Sequence, residues 1–379
     1  MRIIIPQPQL LKSLQIVERA VNDRSAIPVL GNVLLEVHDN ELILTATDLD
    51  VGVRYRLPLV EQADRGAITL PARRLSTIVR ELPEEPLTIE ARKNHTIALT
   101  CGASQFRIPG LPPEDFPTFP PIERTTTLTV SQSTLKALIA KTIFAMSLEE
   151  TRFVLNGALL RTHNHILTLV ATDGRRLAVA SAKTLAEPSQ QISVVVPAKT
   201  IRELGRLLQE DQEAETPVTI AMLKDNQLAF QFSAEGGSAI GGGDVTVMTR
   251  LIEGQFPQYE GVVPAPSKAV LTCSRQPLFG AIRRVSLMTT ATSQAVVFEL
   301  AKDRLVISKE SAEFGSAREE LAVTYAGEPM TIAFNPEFWL DALKALEAEE
   351  IPIEVTAPDK PAVVRLPGFL YVVLPMKLA

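Results

Sequence analysis

The sequence predicts an α+β fold made of three copies of one unit. A proline-headed amphipathic helix recurs as PARRLSTIVREL at 71–82, PAKTIRELGRLL at 197–208 and, more faintly, NPEFWLDALKAL at 335–346. An apolar strand ending in Ala-Thr-Asp recurs as ELILTATDLD at 41–50 and ILTLVATDGR at 166–175, and ELAKDRLVISKES at 299–311 holds the comparable place in the last third. Repeats of this kind fix the architecture before any single element does.

Taken in order, each copy opens with a strand and a helix. MRIIIPQPQL reads as a strand start, because Pro6 and Pro8 break its apolar run and it lacks the small-residue cleavage site of a signal peptide. The opening helices are LLKSLQIVERAV from Leu10, STLKALIAKTIF from Ser133 and QPLFGAIRRVSL from Gln276. In the proline-headed helix, Leu75, Ile78, Val79 and Leu82 share one face and Arg73, Arg74 and Arg80 lie off it. Short turns such as HDN at 38–40 and KDN at 224–226 join strands as antiparallel hairpins. Each copy therefore has two helices and two small sheets, with the helices collected on one face. Breaker-rich joins at 116–126 (FPTFPPIERTT) and 256–268 (FPQYEGVVPAPSK) divide the chain into domains 1–125, 126–266 and 267–379. AEGGSAIGGGD at 234–244 reads as a mobile insertion, and QEDQEAE at 209–215 as a solvated acidic turn.

The chain has 379 residues, enough for two or three domains with their own cores. Cys101 and Cys273 are its only cysteines, which argues against a disulfide framework and for a reducing, cytoplasmic setting. No apolar run is long enough to span a membrane. The net charge is −6, but the six repeat helices together carry +9 and the rest of the chain −15. Lys199, Arg202 and Arg206 stand at i, i+3 and i+7, on one helix face. A basic face on an acidic body suits a phosphate backbone bound without base readout. Few aromatics accompany these cations, which disfavours stacking on single strands.

Catalytic and metal signatures are weak. His163-Asn164-His165 falls in a hairpin turn without an acidic or Cys ligand cluster, and His38 and His95 also sit in turns. Asp48 and Asp173 are repeat equivalents and read as turn-fixing residues. The Gly-rich insertion lacks a P-loop ending, and no nucleophilic triad stands out. The expectation is no cofactor, no metal and no catalytic residue. Two other classes stay open at this point: a metal-dependent DNA-modifying enzyme using Asp48 and Asp173, and a protein scaffold that never meets DNA. At the C-terminus, FLYVVLPMKLA places Met376 and Leu378 beyond a strand-ending Pro375, which suits an adaptable apolar groove for a short peptide.

IPVLGNVLLEV (27–37), TLPARRL (69–75), RFVLNGALL (152–160), ATDGRRLAV (171–179), EGQFPQYEGVVP (253–264), AFNPEFWLDAL (333–343) and YVVLPMKL (371–378) together resemble the bacterial sliding-clamp family, the beta subunits of DNA polymerase III. The resemblance spans all three repeats. It implies a DNA clamp fold that closes head to tail into a homodimeric ring. Helices line the hole, and duplex DNA is held topologically and without sequence preference. It implies a processivity factor, not an enzyme, whose partners are the polymerase III alpha subunit, the clamp loader and other proteins with clamp-binding motifs.

By matching position the resemblance places a partner-peptide cleft at Leu155, Thr172, Gly174, Arg175, Arg176, Leu177, Pro264, Val372, Val373, Leu374, Pro375 and Met376. Arg175 stands where the family often has His, and Ala379 extends the tail by one residue at the rim. DNA-facing residues would be Arg24, Arg73, Lys136, Lys141, Arg152, Lys199, Arg202 and Arg206, with Glu149 where a polar Gln can occur. The subunit joint would set Arg74, Phe106 and Ile108 against Leu287, Glu313 and Glu319.

Overall fold

The computed structural model describes residues 1–59, 63–119, 126–186, 190–210, 216–234 and 242–377. Most of the 234–244 insertion, the end of the acidic turn at 209–215, residues 120–125 of the first join, and Leu378 and Ala379 lie outside the described residues.

The first repeat begins β1 (Arg2–Pro6), α1 (Gln7–Val17), β2 (Asn32–His38), β3 (Glu41–Thr47) and β4 (Val51–Pro58). It continues with β5 (Gly66–Pro71), α2 (Ala72–Glu81), β6 (Pro86–Ala91), β7 (Thr96–Cys101) and β8 (Ser104–Pro109). The second repeats this order with β9 (Thr126–Ser131), α3 (Gln132–Ala140), β10 (Gly157–His163), β11 (Ile166–Thr172) and β12 (Arg176–Lys183). β13 (Ser193–Pro197), α4 (Ala198–Leu207), β14 (Pro217–Leu223), β15 (Gln227–Ser233) and β16 (Asp244–Arg250) complete it. In the third stand β17 (Val270–Ser274), α5 (Arg275–Ser286), β18 (Val296–Ala301), β19 (Arg304–Ser311) and β20 (Gly315–Ala322). After the short β21 (Thr324–Tyr325) come β22 (Met330–Phe334), α6 (Pro336–Ala345), β23 (Glu350–Glu354), β24 (Ala362–Leu366) and β25 (Phe369–Val373).

Each repeat thus folds as two four-stranded antiparallel sheets. In the first they run β1-β6-β7-β8 and β5-β2-β3-β4. The last strand of one repeat then continues a sheet of the repeat before it. β16 pairs with β4, with Val247 opposite Val53, and β25 pairs with β12, with Tyr371 opposite Ala178. The chain forms two compact units. Unit 1 holds the first repeat with β9 and β14–β16, and unit 2 holds β10–β13 with the third repeat. The middle repeat is shared, one sheet to each. Each sheet has two edge strands, among them β8 in one unit and β20 in the other.

The periodicity reading places the first helix at Leu10, but it starts at Gln7. Pro8 falls within its first turn, where a missing N–H costs nothing. Arg24 lies beyond that helix in a turn, and Lys141 lies just past α3. One hydrogen-bond pattern recurs at the head of each opening helix. Gln7, Gln132 and Arg275 donate their backbone N–H to Glu85, Thr216 and Glu349, the residues just before β6, β14 and β23. Their side chains cross to the end of the second helix. Gln7 donates to the Val79 carbonyl, Gln132 accepts from the Gln209 N–H, and Arg275 donates to the carbonyls of Leu343 and Ala348. Backbone groups near the end of the second helix are thereby met in all three repeats, carbonyls by Gln7 and Arg275 and an N–H by Gln132.

Replacing Arg275 by Met keeps the stem and removes these donors. It is expected to lower stability by about 1–3 kcal/mol in urea unfolding, whereas Met at exposed Arg283 should change it by less than about 0.5 kcal/mol. Burial pushes the Cys273 thiol up to about 12, well above the ordinary range of a thiol. Because the fold favours the protonated thiol, this contribution is intact below about pH 9 and is lost as pH rises toward 12. Thiol reagents at pH 8 should therefore leave Cys273 unmodified in the native protein and modify it once unfolded.

Candidate peptide cleft and charged helix faces

The Ala-Thr-Asp segments fold as matched turns. Asp48 Oδ1 accepts from the N–H groups of Asp50 and Val51 at 3.1 and 2.8 Å. Asp173 Oδ1 accepts from Arg175 and Arg176 at 2.9 and 3.0 Å. The preceding Thr hydroxyls bond across the same turns, to Val51 and Arg176 carbonyls. The position two residues after that Thr has positive φ in both copies, as Gly174 in one and as Leu49, 51% exposed, in the other. Side-chain bonds to the backbone two and three residues on are the mechanism that makes Asp a turn residue. Both carboxylates are thus turn-formers, and no group of acidic, His or Cys residues able to hold a metal occurs among the described residues.

In unit 2, the second turn, β25 and the 256–264 join enclose an apolar cleft of about 220 Å³. Leu155, Thr172, Gly174, Arg175, Arg176, Leu177, Val372 and Leu374 line it, together with Pro257, Gln258, Tyr259 and Val262. The last four were not among the residues read from the sequence. Their signal was present in the echo of FPTF (116–119) by FPQY (256–259). Pro264, Val373, Pro375 and Met376 do not line the cleft. Val373 points to the buried face because side chains alternate along β25. Met376 bridges to Ala333, and the Pro264 carbonyl accepts from Arg365. Arg161 pins the join by donating to Glu260 at 2.8 Å and the Tyr259 hydroxyl at 3.0 Å.

Arg176 forms one wall of this cleft, with its side chain 10% exposed. It donates to Asp173 at 3.0 Å, to Asp341 at 2.7 Å and to the Phe144 carbonyl. Its guanidinium also lies 4.4 Å from the Phe338 ring centroid. Burial alone would lower its pKa, but the Asp341 hydrogen bond and the fields of Asp173 and Asp341 outweigh that and raise it. Beneath it, Tyr371 donates to the Phe338 carbonyl at 2.7 Å and packs edge-on against Phe144 and Trp339. Burial pushes the Tyr371 hydroxyl well above its ordinary value.

The cations assigned to DNA differ in how far they are engaged. Arg24 and Arg202 are exposed and make no ion pair among the described residues. Lys141 is half-buried. Arg73 pairs with Asp23 at 2.5 Å, Lys136 with Glu210 at 3.1 Å and Arg152 with Glu149 at 3.4 Å. Lys199 pairs with Asp48, and Arg206 with Glu203 at 2.9 Å. Arg206 also donates to the carbonyls of Gln15 and Ile16 at the end of α1. At the proposed joint, Phe106 is 37% exposed on β8 and Leu287 70% exposed after α5. Ile108 is only 2% exposed, its side chain belonging to the core of its own sheet. Arg74 and Glu313 are exposed. Two Arg284 hydrogen bonds of 2.8 Å hold the Glu319 carboxyl below the usual range.

Arg176→Met leaves Asp173 and Asp341 without their cation. It is expected to destabilise the protein by about 1–3 kcal/mol and to weaken any peptide bound in the cleft. Paired measurements of thermal unfolding and peptide affinity check both effects, and an unchanged melting temperature would contradict the first.

The chain matches family models along its length. Residues 1–120 match the N-terminal domain of the DNA polymerase III beta subunit, 129–258 its central domain and 260–377 its C-terminal domain. The Beta sliding clamp of Pseudomonas putida is 34% identical over all of both chains. That of Chlamydia muridarum is 31% identical over 100% of this chain and 99% of its own. A sliding clamp of Pseudomonas aeruginosa, solved bound to griselimycin, superposes with a TM-score of 0.91 at 33% identity over the full length of both. The clamp from Bacillus subtilis gives 0.90 at 29%, again over both full lengths. With its three repeats of paired helices and antiparallel sheets, this chain belongs to the DNA polymerase III beta subunit family, the sliding clamps that give polymerases their processivity.

Proposed function

We propose that two copies of this chain join head to tail into a ring around duplex DNA, and that the cleft beside Arg176 receives short peptides from proteins the ring tethers. The strand order carries the first part. Twice, the last strand of one repeat extends a sheet of the repeat before it, as β16 does on β4 and β25 on β12. β8 is the last strand of the first repeat and has no such partner within its sheet, while β20 is the matching acceptor edge in the third. Joining β8 of one copy to β20 of the other repeats the same pairing and covers both of these edges. Phe106 and Leu287 give that joint its apolar surface, and Arg74, Glu313 and Glu319 its charged rim.

The tethered proteins would include the polymerase III alpha subunit, the clamp loader and others with clamp-binding motifs. The setting is the cytoplasm, and the chain works without catalysis or cofactor. We keep the domain limits near 125 and 266. DNA contact is weak and blind to sequence, as befits a ring that slides. Within the basic set, Arg24 and Arg202 have free charge for phosphate, whereas Lys199 and Arg206 also hold the fold together.

That division is testable. Arg202→Ala is expected to reduce loading and the salt dependence of DNA binding, by about one unit of slope per lost phosphate contact, with no change in melting temperature. Arg206→Ala should lower the melting temperature as well. For topology, the protein is loaded by an ATP-driven clamp loader onto nicked circular DNA and passed over a sizing column in high salt, before and after the circle is linearised. Retention on circles and loss from linear ends is the expected result. Equal retention on both would mean ordinary electrostatic binding and would sink the ring.

A further inference from the structure

We infer that Asp48 and Asp23 act as a brake on DNA binding, each holding one cation of the charged helix faces back from phosphate, an inference that rests on those helices lining a duplex. The cations are Lys199 and Arg73. They are repeat equivalents, the second residues of α4 (Ala198–Leu207) and α2 (Ala72–Glu81). A helix N-terminus carries partial positive charge, so its first turn attracts carboxylates and repels cations. Neither helix has an acidic residue there. The third copy follows the ordinary rule. Glu337 stands second in α6 (Pro336–Ala345), and its N–H donates to the Asn335 side chain at 3.0 Å. The first two copies therefore place a cation where the backbone disfavours one, and the third shows that the helix forms without it.

Each of these cations is met by a carboxylate from outside its helix. Arg73 pairs with Asp23, in the turn before β2, at 2.5 Å. Lys199 pairs with Asp48. The Asp48 carboxylate is divided between two tasks. Its Oδ1 accepts from the N–H groups of Asp50 and Val51, and its Oδ2 faces Lys199. At the matching turn of the second copy, Oδ2 of Asp173 meets Arg176, whose side chain is 10% exposed. The Lys199 side chain is 42% exposed and that of Arg73 72%, so solvent reaches both cations while they are paired. Leu49 and Asp50 line a groove of about 420 Å³ at the first joint, where β16 meets β4. Asp48 does not line it, and among the described residues its Oδ2 meets only Lys199. A phosphate approaching either cation must displace a carboxylate already in place. An exposed pair of this kind is a weak rival, which yields to a duplex without letting it be gripped tightly.

Fluorescence anisotropy of short labelled duplexes with the full-length protein, repeated across a range of salt, tests this. Asp48→Asn keeps an oxygen for the turn and removes the charge, and Asp23→Asn removes the other carboxylate. Each is expected to tighten binding about two- to fivefold at low salt and to steepen the dependence of log affinity on log salt by about one unit. Single rings loaded on long duplex should diffuse more slowly by a similar factor. In a Lys199→Gln background Asp48→Asn should change nothing, and the same holds for Asp23→Asn with Arg73→Gln. A gain that persists in those backgrounds is a general effect of lost negative charge and overturns the inference. No gain in the single variants, at an unchanged melting temperature, overturns it too. Should Asp48→Asn lower the melting temperature through its turn, Asp23→Asn decides. Arg202→Ala reports on the lining itself, because that cation is already free. If it leaves the salt slope unchanged, the helices do not meet DNA and the ring reading fails. If it lowers the slope while both aspartate variants leave it as it was, only the brake fails.

Discussion

The antiparallel ladder between β16 and β4, with its counterpart between β25 and β12, is the constraint on which the rest of the molecule depends. A four-stranded sheet has two edges of unmet backbone groups, and repeats of this kind meet them by lending a strand to the previous copy. The middle repeat is therefore divided between two compact units, although its sequence reads as one domain. The same ladder makes the cleft. It sets the end of β25 beside the Asp173 turn, and the Leu374-to-Arg175 hydrogen bond is the last rung. The groove at the first joint arises from the same geometry.

What distinguishes the two joints is side-chain chemistry laid over a common backbone. Arg176 can sit largely out of water because two carboxylates, a carbonyl and aromatic faces surround its guanidinium. Its counterpart in the first repeat is Val51, and there the free oxygen of Asp48 is met by Lys199 from α4 instead. Each copy solves the same electrostatic problem with a different cation.

The repeat architecture was legible because it rests on short-range chemistry: proline-headed helices, Asp turns and two-residue hairpins such as Asp39-Asn40, both at positive φ. The side chains that fasten each opening helix were not legible. Gln7 and Gln132 share a type that Arg275 does not, and only the structure reveals that all three reach the end of the second helix, Gln7 and Arg275 to carbonyls and Gln132 to an N–H. Pro6 and Pro8 read as breakers, which moved the first helix start from Gln7 to Leu10. In the cleft, residues quoted by resemblance on both sides of the alternating β25 included Val373, whose side chain faces the core. The basic helices were correctly read as cationic, yet composition could not separate Arg202 from Arg206, which caps another helix.

The β8 and β20 edges also bear on how a closed assembly opens. In the proposed dimer the same joint occurs twice, so breaking one leaves its separated strands tethered through the other. Rejoining is then intramolecular, at an effective concentration that for short tethers is about millimolar, far above that of free subunits. A ring with one open joint would reseal without dissociating, and passage of DNA through the gap would depend on an agent that holds β8 and β20 apart.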